Sequence, residues 1–151
     1  MTTNLKKALL DKCIQLVNER IENNKRSMNE TQDAANEEVK SSSGDKYETG
    51  RAMMHLEQEK TAAQFQETMK LKVLLDKIDI TSDSETIHQG SVVTTNNGIF
   101  FLAAALGQVT LENQVYFVIS SVSPLGKELL DKKAGESVIV NGRTFKISKV
   151  T

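Results

Sequence analysis

The sequence predicts an α+β protein: an N-terminal antiparallel two-helix coiled coil followed by a small antiparallel β-sheet domain with one short helix. Three observations carry this. Two stretches, Leu5 to Val39 and about Lys46 to Ile78, contain no proline and, after Gly50, no glycine, and are dominated by strong helix formers. Ile87 to Leu111 contains no Asp, Glu, Lys or Arg, and the hydrophobic period there changes from helical to strand-like. Asn-Gly pairs, the strongest short hairpin signal, separate strand-like runs at Asn97-Gly98 and Asn141-Gly142.

In the first helix Leu10, Ile14, Val17, Ile21, Met28, Thr31 and Ala35 follow alternating steps of four and three, with Asn24 as a polar interruption. That is the period of a coiled-coil seam. In the second, Met53, Leu56, Ala63, Leu74 and Ile78 continue a seam, from which Phe65 and Met69 drift, while Glu67 and Lys70 stand where apolar residues are expected. Reversal near Gly44 sets Ala35 near Met53 and Leu10 near Ile78. Helices of about 30 residues at about 1.5 Å per residue form a finger roughly 45 Å long.

Ser41 to Gly50 supplies the reversal. Its serines can bond to nearby backbone, and Gly44 can take a positive φ. Asp45 reads as the N-cap of the second helix with Glu48 three residues on, a capping-box-like pair that needs no function to explain it. Glu30, Asp33, Glu37 and Glu38 nevertheless approach the same end, opposed between residues 30 and 48 only by Lys40 and Lys46. The end of the finger is acidic.

Domain boundaries follow from composition. Residues 1–79 form the coiled-coil finger with its tip at about 41–48, residues 80–90 a Ser/Thr/Asp-rich linker, and 91–151 the sheet domain. Strands are expected at Ser91–Thr95, Ile99–Ala104, Gln114–Ser120, Val138–Val140 and Thr144–Ser148. A helix runs from Ser123 as cap, with Pro124 at its first position, to about Lys132, and Gly135 closes it. A domain of this size buries a modest core, so contact with the finger base or with a partner helps to stabilise it, and an exposed apolar groove is expected.

At 151 residues, 38% hydrophobic and 26% charged, with a formal charge of −1, the sequence reads as a soluble cytoplasmic protein that does not coat DNA. No run of about 18 apolar residues suggests a membrane span, and Met1 to Lys7 does not resemble a signal peptide. The single cysteine, Cys13, reads as a thiol packed against the seam. His55 reads as a polar face residue and His88 as a linker residue. A Cys-His-His set of the condensing-enzyme type does not suit a protein this short. The five aromatic rings of the sheet domain read as core rather than as a prolyl isomerase pocket.

These residues resemble the Gre-type transcript cleavage factors of bacterial RNA polymerase. Gly44, Asp45 and Glu48 match the glycine and two acidic positions of the family tip pattern Gly-Asp-Leu-x-Glu-Asn-Ala. Ser123-Pro124-Leu125 with Leu129, then Gly135 and Val138 to Val140, match its Ser-Pro-(Ile/Leu) helix, turn and strand. The sequence departs from the pattern at Lys46, Tyr47, Thr49 and Gly50. The resemblance implies an FKBP-like fold for the sheet domain and binding to RNA polymerase as a monomer, with Gly44, Ser123, Pro124 and Leu125 in the contacts. It further implies insertion of the finger into the secondary channel, where the 3′ end of backtracked RNA lies. Asp45 and Glu48 would there share a transient Mg²⁺ with the polymerase, whose intrinsic cleavage they stimulate; the factor is not itself an enzyme and holds no metal tightly when free. A channel-binding regulator that does not cleave is the alternative, since Gre homologues of that kind share the shape.

Overall fold

A computed structural model describes residues 2–40, 45–81 and 84–151, and the side chains of these save 2, 3, 34–40 and 45–49. Helix α1 spans Thr2–Lys40 and α2 spans Asp45–Asp76. Strands β1 (Val92–Thr95), β2 (Gly98–Leu102), β3 (Gly107–Leu111) and β4 (Gln114–Ile119) follow, then α3 (Pro124–Leu129), β5 (Ser137–Val140) and β6 (Arg143–Val150). The predicted α+β class holds. By contact the protein forms two compact units, one of Met1–Ile14 with Val73–Thr151 and the other of Gln15–Lys72.

The second unit is an antiparallel helix pair. Asn24 reaches the Gln64 carbonyl at 3.4 Å and the Thr68 hydroxyl at 2.7 Å, and Gln58 donates to the Gln32 side chain at 3.0 Å. The seam on α1 agrees with the sequence pattern at Val17, Ile21 and Thr31, which are buried. Nearer the N-terminus it is displaced by one residue. Leu9 and Cys13 are fully buried, whereas Leu10 and Ile14 are half-buried.

On α2 the expected seam is corrected more strongly. Met53 is 64% exposed and Leu56 66%, and Ala63 and Leu74 are also exposed. The inward positions are Met54, Gln58, Thr61, Phe65, Thr68, Lys72 and Leu75, again in steps of four and three. Phe65 and Met69, which fall off the pattern of apolar residues, are half-buried on the true seam side. Threonine makes this seam compatible with a helix interior because each hydroxyl bonds back one turn: Thr31 to Ser27, Thr61 to Glu57 and Thr68 to Gln64. Of the expected α2 seam only Ile78, two residues beyond the helix, is buried.

The sheet has six strands in the order β3-β4-β2-β1-β6-β5. It is antiparallel except for β2 and β4, which run parallel with Phe100 opposite Phe117. That pairing and strand β3 are absent from the sequence reading. Strand β3 joins β4 through Glu112 and Asn113, both at positive φ (50° and 65°), so the turn has the two-residue hairpin geometry without the glycine that announces it. Strands β1 and β2 account for the uncharged segment. On one face Val93, Phe100, Leu102, Phe145 and Ile147 form a core with Ile87, Val138 and Leu129 of α3. On the other, Val92, Phe101 and Val118 are buried, in the same compact unit as the buried Leu9, Cys13, Leu75 and Ile78. Strands covered on both faces leave no place for charge. Gly90, at φ 98°, allows close packing, since a Cβ there would meet Ile78 Cγ2 at 3.0 Å.

Helix α3 ends at Leu129, short of the expected Lys132. Asp131 takes a φ of 67° and its N–H goes to the Ile87 carbonyl, while Ile87 donates to the Lys132 carbonyl. This exchange turns the backbone away from the helix axis. Among the described residues no helix is long and apolar enough to cross a membrane.

Candidate functional site

Two regions hold the residues singled out by the sequence. In the helix pair, Asp45 is the first residue of α2 and Glu48 lies within its first turn. Gly44 and the turn itself, and the Asp45 and Glu48 side chains, lie outside the described residues. The register of the two helices is given by the hydrogen bonds between their described residues. Partners 24 and 64, 24 and 68, and 32 and 58 have their midpoints at residues 44, 46 and 45. The pairing is therefore symmetric about Asp45.

In the sheet unit, Ser123, Pro124 and Leu125 occupy the cap and first positions of α3. The cap is complete. Ser123 Oγ accepts from the Gly126 N–H at 3.0 Å and donates to the Ser120 carbonyl at 2.6 Å, and Lys127 N–H bonds the Ser123 carbonyl at 2.8 Å. Pro124 at the first helical position sacrifices no donor the helix could use. Leu125 packs half-buried against the Phe100–Phe145 core.

Beside this cap lies an open groove of about 500 Å³, bounded by α3, the end of β4 and the β5–β6 turn. Ile119, Pro124, Leu125 and Phe145 make its apolar walls, and Asn141 and Arg143 its polar rim. The sequence reading placed Ser123, Pro124 and Leu125 here but missed Asn141 and Arg143. A lone exposed arginine has no pattern to betray it. The Asn141-Gly142 pair announced the turn without indicating what the turn would face. Such a groove can seat an apolar side chain while Arg143 meets an acidic or carbonyl group on its owner.

The remaining titratable groups make a poorer site. Burial pushes the Cys13 thiol from 9.0 up to about 11, which keeps it protonated and inert. His88 is not a bare linker residue: its Nδ1 lies 3.0 Å from Ser91 Oγ and 3.2 Å from the Thr86 carbonyl, in the turn that leads into β1. Among the described residues no three His, Cys, Asp or Glu side chains are grouped to hold a metal ion.

No protein-family model matches the sequence, and no curated protein matches it. One solved structure to which it is similar is described as that of the transcription factor Gfh1. The identity is 20%, over 92% of this chain and 93% of that one, with a TM-score of 0.38.

Proposed function

We propose that this protein is a transcription elongation factor of the Gre type, which binds bacterial RNA polymerase and stimulates cleavage of backtracked 3′ RNA with Asp45 and Glu48. The observation that supports the reading is the register of the helix pair, symmetric about Asp45, with Asp45 the first residue of α2 and Glu48 in its first turn. The Ser123-Pro124-Leu125 cap and its groove, the second region of the resemblance, supply a docking surface for the polymerase.

The mechanism is one of delivery. A helix of 39 residues antiparallel to one of 32 reaches a channel-buried RNA end that a loop could not. Holding two carboxylates beside the scissile phosphodiester supplies proximity, the largest contribution a protein without its own active site can make. Asp45 and Glu48, as hard oxygen donors, would hold a Mg²⁺ jointly with the polymerase, and that ion supplies stabilisation of the attacking and leaving oxygens. The carboxylates also accept hydrogen bonds from the attacking water and so orient it.

The test uses a stalled, backtracked bacterial polymerase complex with Mg²⁺. The intact protein should release short 3′ RNA fragments. Asp45→Ala and Glu48→Ala should each abolish release while leaving polymerase binding nearly unchanged. Cleavage by the double alanine variant at the parental rate would remove the acids from the mechanism. Binding that competes for the secondary channel with no fragment from the parent protein would identify the non-cleaving regulator instead.

A further inference from the structure

We propose that Asn141 is a site of spontaneous deamidation, closed by the backbone nitrogen of Gly142, and that it reacts well ahead of the protein's other Asn-Gly pair. The inference is independent of the function proposed above.

Both pairs have the sequence that favours the reaction, because glycine offers no Cβ to obstruct approach of its nitrogen to the preceding side chain. Structure separates them. At the β5–β6 turn Asn141 and Gly142 stand at φ 52° and 80°, and Asn141 is exposed at the groove rim rather than packed in the core. Its side chain makes no hydrogen bond among the described residues, and the Gly142 N–H, outside both strands, has no backbone acceptor among them. Around the Cβ position of Gly142 nothing lies within 4 Å.

At the β1–β2 turn every corresponding group is held. Asn97 Nδ2 donates to the Thr144 carbonyl at 2.8 Å and its N–H to Thr95 Oγ1 at 3.1 Å. Gly98 is already in the ladder, paired with Thr95, and its carbonyl accepts from Thr95 Oγ1 at 2.9 Å. A Cβ on Gly98 would meet Phe117 Cε2 at 3.0 Å, so that side is filled as well. Asn97 cannot swing its amide onto the next nitrogen without breaking these contacts.

The step balances without any added redox partner. The Gly142 nitrogen gives up its proton and attacks Asn141 Cγ. The new N–C bond forms as the bond from Cγ to the amide Nδ2 breaks, and ammonia leaves. Water then opens the cyclic imide at one carbonyl or the other, giving aspartate or isoaspartate. Either product sets a carboxylate on the groove rim that also carries Arg143. Isoaspartate, in addition, inserts an extra backbone atom into a two-residue turn.

The experiment incubates the intact protein at mildly alkaline pH and follows tryptic peptides by mass spectrometry. Cleavage after Lys133 and Arg143 isolates Asn141 on a short peptide, apart from Asn97. The expected result is deamidation at Asn141 several-fold faster than at Asn97 in the folded protein. In concentrated urea the Asn97 site should accelerate and the two rates converge. An acidic species growing on ion exchange should be greatly reduced in Asn141→Gln. Equal rates in the folded protein, or a faster Asn97, would overturn the proposal.

Discussion

Asn24 donates its side-chain amide to the Thr68 hydroxyl at 2.7 Å across the helix pair, and Thr68 passes its own proton to the Gln64 carbonyl at 2.9 Å. A single polar pair in a seam fixes register at some cost in stability. Thr68→Ala should cost about 1–2 kcal/mol in urea unfolding, because it leaves the Asn24 amide half-buried without its best acceptor. Replacing both residues, Asn24→Leu with Thr68→Val, should recover that loss or exceed it. The gain should come with a looser register, read as a lower yield of the disulfide between Gln32→Cys and Gln58→Cys in a Cys13→Ser background.

The two candidate seams on α2 make opposite forecasts. Leu56 is 66% exposed while Phe65 is half-buried. Leu56→Asp should therefore change stability by no more than about 0.5 kcal/mol, as for other exposed positions. Phe65→Ala should cost about 2 kcal/mol, below the loss typical of a fully buried ring. A larger loss from Leu56→Asp than from Phe65→Ala would restore the seam read from the apolar residues alone.

That reversal shows what the sequence of α2 conceals. Its apolar residues are scattered over more than one stripe, and the stripe turned inward carries Thr61 and Thr68 among its most buried members. Hydrophobicity alone cannot choose between such stripes; side-chain volume and back-bonding do. In α1 the pattern was legible at Val17 and Ile21, whereas nearer the N-terminus adjacent apolar residues offered a rival stripe and Leu9 and Cys13 are buried in place of Leu10 and Ile14. The same contrast holds in the sheet. The Asn141-Gly142 turn was visible from its residues, whereas the Glu112-Asn113 turn uses a glutamate at φ 50° and hid strand β3 with it. Parallel pairing of β2 with β4 is a tertiary choice with no local signal. At the candidate site the Ser123-Pro124 cap was legible because capping is local, and Arg143 was not because it enters the groove through β6.

Burial of Cys13 makes stability depend on alkaline pH. Its thiol is pushed from 9.0 up to about 11, so the folded protein keeps a proton that the unfolded one gives up between those values. The contribution is fully present below pH 9 and is lost as pH rises through about 11. Cys13→Ala should flatten the decline in unfolding midpoint that the parent shows across this window. In the native protein at neutral pH, a thiol reagent should react with Cys13 only at the rate of opening, and at once in denaturant.

Helix α3 depends on two residues whose failures should differ in size. Ser123→Ala removes the acceptor for the Gly126 N–H and the donor to Ser120, and should cost about 1 kcal/mol, as helix caps do. Gly126→Ala should be far worse. An added Cβ would be driven into the Ser120 carbonyl oxygen, a backbone atom that cannot rotate away, with Ser123 Oγ at 2.9 Å on the same side. The expected loss is about 3 kcal/mol or more, at the upper end of overpacking costs. Because Gly126 presents no side chain to a partner, Gly126→Ala should weaken binding at the Leu125–Arg143 groove only by displacing α3. Ser123→Ala should leave the groove formed and nearly as competent. The two effects separate if thermal unfolding and partner binding are measured on the same preparations: binding lost in proportion to stability marks the helix as the groove's support, whereas binding lost in Ser123→Ala at near-parental stability marks the serine as a direct contact.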